Sequence, residues 1–175
     1  MKKSIIASVV VLGMIGGTAH AASEVIFSGA VSAKTCELAP SVNGGVPANQ
    51  VVTLATAEPN QEGVATTFVM KPVNPTASGC TGLTDQNTIS VGWSGSTLGA
   101  QGFKANPGSA ASDAVVLLTA KNSKTANTPI TASAPSVDFA GDKLTTDGLE
   151  FDAKTKGGAV AGNFTSTASF TVAYK

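Results

Sequence analysis

Arginine is absent from this chain, and histidine is nearly so. All eleven basic residues are lysine, and the single histidine, His20, lies in an amino-terminal leader. Without imidazole in the mature chain, Ser-His-Asp and Cys-His catalysis, histidine acid–base chemistry and imidazole metal ligation are excluded together. Without guanidinium there is no bidentate recognition of phosphate or carboxylate. Loss of Lys2 and Lys3 with the leader leaves nine lysines against eleven acids, so nucleic acid is not an expected partner. After the leader no stretch is long and apolar enough to cross a bilayer, which takes about twenty residues. The mature chain is expected to be soluble or anchored only through partners.

What is present begins with that leader. Met1, Lys2 and Lys3 precede an apolar run over 5–15, then Gly16, Gly17 and small residues at Ala19 and Ala21. A basic start, a short apolar centre and an A-x-A end make residues 1–21 a secretory signal peptide cut after Ala21. From Ala22 onward 154 residues remain, enough for one domain with its own core. Two cysteines in an exported chain read as one disulfide between Cys36 and Cys80, contributing roughly 4 kcal/mol by restricting the unfolded state. The alternative is two free thiols or a metal pair, but no histidine or third cysteine accompanies them.

Short runs rich in Val, Thr, Phe and Leu alternate with turn-forming clusters, which predicts an all-β sandwich or barrel. Expected strands are 24–34, 50–56, 65–71, 88–93, 114–121, 136–139, 149–152 and 164–174. Loops are expected at 41–47, 58–63, 72–75 and 157–158, where Gly, Pro and Asn gather. The apolar run at 114–118 suits a buried strand or a helix segment; its shortness and lack of helical period favour the strand. Small residues over 95–113 read as a long surface loop with little to bury.

Few residues carry chemistry of their own. Trp93 is expected in the core rather than as a sugar-stacking platform. Asp138, Asp142, Asp147, Glu150 and Asp152 are close in sequence but lack a metal-loop pattern, so they read as solvated charges rather than a calcium site. Asn163, Phe164 and Thr165 match a glycosylation acceptor of little weight. No carboxylate pair stands out by spacing for glycosidase chemistry. The chain is expected to be no enzyme, to have no catalytic residues and to need no metal or cofactor.

The two ends carry the strongest pattern. After the leader, Val25, Phe27, Gly29, Val31 and Ala33 alternate, with Cys36 seven residues after the glycine; at the other end Phe164, Ala168, Phe170, Val172 and Tyr174 alternate. Each segment presents one apolar face. V-x-F-x-G-x-V before a cysteine, a penultimate Tyr174, and Gly162 fourteenth from the end together resemble the subunits of chaperone–usher fimbriae, the pilins. The stretches around 68–72 and 91–96 are similar to major subunits of enteric colonisation fimbriae. Val52, Thr53, Leu54 and Ala55 depart from the V-x-L-G often found after the first cysteine.

The resemblance implies an incomplete immunoglobulin-like β-sandwich in residues 36–175, missing its last strand and completed by a donor strand from a neighbouring subunit. It implies that 22–35 is the donor segment, with Val25, Phe27, Gly29 and Val31 entering the neighbour's groove. Gly162, Phe164, Ala168, Phe170, Val172, Tyr174 and Lys175 would border the acceptor groove and meet a periplasmic chaperone. The implied partners are identical or related pilins, that chaperone, an outer-membrane usher and a host-surface receptor. Export through the periplasm to a surface fimbrium follows, with a major shaft role; a self-contained carbohydrate-binding sandwich or a minor adhesive subunit is the alternative.

Overall fold

The structure is a computed structural model, and it describes residues 36–45 and 50–175. The leader and the donor row of Val25, Phe27, Gly29 and Val31 lie outside the described residues. Among the described residues nine strands follow in order: β1 (Leu38–Ser41), β2 (Thr66–Pro72), β3 (Thr88–Ser94), β4 (Phe103–Lys104), β5 (Val115–Ala120), β6 (Thr128–Ile130), β7 (Ser136–Ala140), β8 (Leu149–Lys156) and β9 (Ser169–Tyr174). A 3-10 turn, Gly141–Leu144, separates β7 from β8.

The strands form two antiparallel sheets. The larger runs β1-β2-β8-β5-β4, with β6 sharing the far side of β5; the smaller runs β7-β3-β9. Strand β8 shows why the sequence folds this way. Leu149, Phe151, Ala153 and Thr155 are buried while Glu150, Asp152, Lys154 and Lys156 are only half-buried, which is period-two alternation with one face inward. Aromatic rings join the sheets: Phe68 on β2 stacks on Phe151 at 5.4 Å, and Trp93 on β3 meets the Phe151 ring edge to face at 5.3 Å. Trp93 is 8% exposed, so it is a core residue as expected. Fully burying side chains of this size is worth about 1.5–3 kcal/mol each.

The all-β expectation holds, and the strands at 65–71, 88–93, 114–121 and 136–139 are found within a residue or two. Four details need correction. Residues 51–58 form no strand, although Val52 and Leu54 pack on the core as half-buried side chains. The last strand starts at Ser169 rather than 164. Strands β1 and β6 are additional to those expected, and each holds a proline, Pro40 or Pro129; among the described residues each pairs on one side only, where proline's missing N–H costs no ladder bond. The stretch 95–113 is no bare loop: it contains β4, whose Phe103 is 2% exposed, and Ala105, Ala111 and Ala114 form a small buried cluster with Phe164 against it.

Turn chemistry agrees with the local sequence. Asn43 and Gly44 have φ of 51° and 82°, and Val42 and Gly45 exchange backbone hydrogen bonds, a left-handed two-residue turn that Asn-Gly favours. The disulfide joins Cys36 and Cys80, 44 residues apart in sequence, and both cysteines are buried. Replacing either cysteine by serine is expected to lower stability by about 4 kcal/mol. Thermal unfolding of Cys36→Ser and Cys80→Ser alongside the parent, with and without reductant, checks this; unchanged melting temperatures would contradict it.

Candidate functional site

Among the described residues strand β9 lies at the end of the smaller sheet and pairs with β3 alone. Thr88 and Lys175 exchange backbone hydrogen bonds in both directions, at 2.8 and 2.9 Å. Hydrogen-bonded pairs alternate along an antiparallel ladder, so Ala173, Thr171 and Ser169 turn their backbone groups toward β3. Trp93, opposite Phe170, accordingly donates its N–H the other way, to the Pro135 carbonyl. The N–H and C=O groups of Phe170 and Val172 therefore point off the sheet. Among the described residues no strand pairs with that edge.

The same residues carry the apolar row. Phe170, Val172 and Tyr174 are half-buried and pack on the core cluster, the Phe170 ring 5.7 Å from that of Trp93. Val42, Val52 and Leu54 are likewise half-buried members of this cluster. Core that should be closed on both faces is left partly uncovered, and it is bordered by Phe170 and Val172 backbone groups that no strand among the described residues pairs.

Before β9 the chain keeps this geometry without forming a strand. Asn163 and Thr165 accept backbone hydrogen bonds from Ala110, Ala111 and Asn106, which take over from β3 as partners on the inner side. Ser166 donates its hydroxyl to the Lys104 carbonyl of β4. Phe164 joins the alanine cluster and Ala168 is exposed. Gly162, at φ +148°, lies so close to Ala110 that a Cβ would sit 2.7 Å from that residue's side chain, so both conformation and space require glycine there. The structure thus brings the expected residues from Phe164 to Tyr174 along one edge and sets Gly162 outside it, against Ala110. The role of 105–111 in extending this edge was missed; the alanines among its turn residues were the available signal.

At the far end of β9 the Tyr174 hydroxyl donates a 2.6 Å hydrogen bond to the Cys36 carbonyl. This places the start of the domain, where the segment 22–35 joins, beside the carboxy-terminal end of β9. Burial pushes the phenol up to about 12 from its ordinary 10.0, partly offset by that hydrogen bond. Among the described residues no group of three or more His, Cys, Asp or Glu could hold a metal. Two of the acidic residues have ordinary partners: Asp147 pairs with Lys143, and Asp152 with Lys121 and the Thr67 hydroxyl.

Tyr174 is the chain's single tyrosine, so phenolate absorbance reports it alone. Its titration is expected near pH 12 in the folded chain and near 10 after denaturation. Because the folded value is raised, the unfolded state loses its proton first, and the stability this group contributes declines as pH rises from about 10 to 12. Tyr174→Phe should remove that component of alkaline unfolding; a native midpoint at 10 would contradict the burial.

No family model matches the chain. Among solved structures it is similar to the P pilus rod subunit PapA, at 15% identity and TM-score 0.48, with 87% of this chain and all of that one covered. Among characterised proteins it is 38% identical over 176 residues to the F107 fimbrial protein of Escherichia coli, across the full length of both. Identity of that extent shows descent, and the chain belongs to the fimbrial protein family, whose members are structural subunits of surface fibres rather than enzymes.

Proposed function

We propose that this subunit polymerises by donor-strand exchange: residues 22–34 of one copy pair with the open edge of β9 in the next. The observation that carries this reading is the coincidence, on Phe170 and Val172, of outward-pointing backbone groups and incompletely buried side chains. An added strand satisfies the first through ladder hydrogen bonds and covers the second with its own apolar row. Burial of Val25, Phe27 and Val31 would contribute about 1.5–3 kcal/mol each. Gly29 would pass where a side chain has no room and so set the register.

The link between Tyr174 and Cys36 bears on direction. A subunit's own donor segment leaves from the carboxy-terminal end of β9. An incoming strand antiparallel to β9 brings its own domain to the opposite end, so entry and exit lie at different poles. A parallel strand would bring the incoming domain to the pole where the acceptor's own donor emerges. The antiparallel contact is heterologous and does not close on itself, so filaments result. A donor segment of its own supports a major shaft role over a tip role. In this reading 1–21 directs export, a periplasmic chaperone covers the β9 edge and holds Lys175 before assembly, and an outer-membrane usher receives the subunit.

The test joins donor and acceptor in one molecule. Residues 22–34 are deleted from the amino terminus and appended after Lys175 through a short flexible linker that lets the strand turn back beside β9. High effective concentration then favours filling in cis. The rearranged chain is expected to be a monomer that needs no chaperone, forms no fibres and melts well above the plain deletion. Equal melting temperatures would show that the segment does not complete this fold, and would favour the self-contained sandwich.

A further inference from the structure

The turn that ends β1 carries chemistry that assembly does not use. Val42 and Gly45 exchange backbone hydrogen bonds around Asn43 and Gly44, and residues 43–45 are exposed. Asn43 and Gly44 are the chain's single Asn-Gly pair. The carboxamide carbon of an asparagine lies within reach of the next residue's amide nitrogen, and the ring their union forms closes most easily where that residue has no Cβ to crowd it. At Gly44 a Cβ would meet nothing within 4 Å, so the surroundings leave the same space open. Among the described residues neither the Asn43 side chain nor the Gly44 N–H has a hydrogen-bond partner.

Elsewhere the route is obstructed. At the other described asparagines the next residue carries a side chain or is proline, which has no N–H. Asn60 and Asn127 share the left-handed conformation of Asn43, with φ of 60° and 59° against 51°. The Gln61 N–H after Asn60, however, donates to the Glu58 carbonyl, and Asn127 is followed by the β-branched Thr128. The chain's single Asp-Gly pair, Asp147 and Gly148, is pinned at both groups: the Gly148 N–H donates to the Lys143 carbonyl at 2.7 Å, and the Asp147 carboxylate pairs with the Lys143 ammonium.

We propose that Asn43 is a site of spontaneous covalent modification, converting in the exported subunit to aspartate and isoaspartate. When the exposed turn opens, the Gly44 nitrogen attacks the Asn43 carboxamide carbon and a C–N bond forms. The side-chain nitrogen leaves as ammonia, carrying away the Gly44 amide proton, and a five-membered succinimide remains. Water then adds to either ring carbonyl and opens it, giving aspartate or, through the other bond, isoaspartate; nothing is oxidised or reduced. Both products add a negative charge. Isoaspartate also adds one carbon to the backbone, so two residues no longer bring Val42 opposite Gly45. Val42 is half-buried on the cluster that β9 packs against, so the change reaches the core. Because the conversion does not reverse, the converted fraction records the age of the subunit.

The experiment ages the full chain at physiological temperature and pH over several weeks, in the assembly state in which it is isolated, so its outcome does not depend on donor-strand exchange. Digestion in ¹⁸O-labelled water gives a heavier product for any conversion that occurs during handling. Fragment masses are expected to show the gain of about 1 Da that replacing NH₂ by OH produces, at Asn43 first and about tenfold ahead of Asn60 and Asn127. Isoelectric focusing should show an acidic form accumulating in the parent and absent from Asn43→Gly, a change that the left-handed φ accommodates. In the converted fraction the Val42 and Gly45 amides should lose protection from hydrogen exchange. An unconverted Asn43, conversion no faster than at Asn60 and Asn127, an acidic form that persists in Asn43→Gly, or unchanged protection of Val42 and Gly45 would each overturn the proposal.

Discussion

Strand β9 must satisfy two demands that conflict in a single domain. Its side chains belong to the core, since Phe170, Val172 and Tyr174 pack against the cluster that holds Trp93. Its backbone belongs to a sheet edge, since the ladder to β3 uses only alternate residues. A core strand at an edge leaves N–H and C=O groups pointing away from every described strand, beside apolar surface that is only half covered. Edges of this kind are ordinarily blunted by charge, proline or a covering loop. Strands β1 and β6 carry proline, but β9, Ser-Phe-Thr-Val-Ala-Tyr, carries neither proline nor charge.

The rest of the structure holds that edge ready. The aromatic contacts of Phe68, Phe151 and Trp93 lock the two sheets together without any contribution from a further strand. The segment 105–111 takes up the inner side of 163–165 where β3 ends, so the edge is longer than β9 alone. Cys36 is fixed twice, by its disulfide and by the Tyr174 hydroxyl. That places the start of the described domain, at Cys36, beside the carboxy-terminal end of β9. Sequence relationship puts the chain among fimbrial proteins; the geometry of β9 supplies a physical reason for such a chain to polymerise.

Much of this was legible in the residues because the core strands have period-two alternation or short apolar runs. Strand β8 is the plainest case, and β5 was separable from a helix by its length. Legibility failed where the pattern and the ladder part company. Val52 and Leu54 alternate as strand residues do and reach the core, yet 51–58 joins no ladder. Proline within β1 and β6 argues against a strand by local preference, and only their edge positions make it harmless. Phe103 and the alanines at 105, 111 and 114 are buried by neighbours distant in sequence, notably Phe164, which local composition does not reveal. The terminal rows of alternating residues were visible in the sequence, whereas the hydrogen-bond phase that turns Phe170 and Val172 outward needed the register with β3.

Amide hydrogen exchange resolved along β9 tests the central claim most directly, by comparing the chain lacking residues 22–34 with assembled fibres. Thr171 and Ala173 bond to β3 and should be protected in both. The amides of Phe170 and Val172 should exchange freely in the shortened chain and gain about a thousand-fold protection in the fibre. Equal protection of Phe170 and Val172 in the two states would contradict the account, because it would mean that the edge is satisfied without a donated strand.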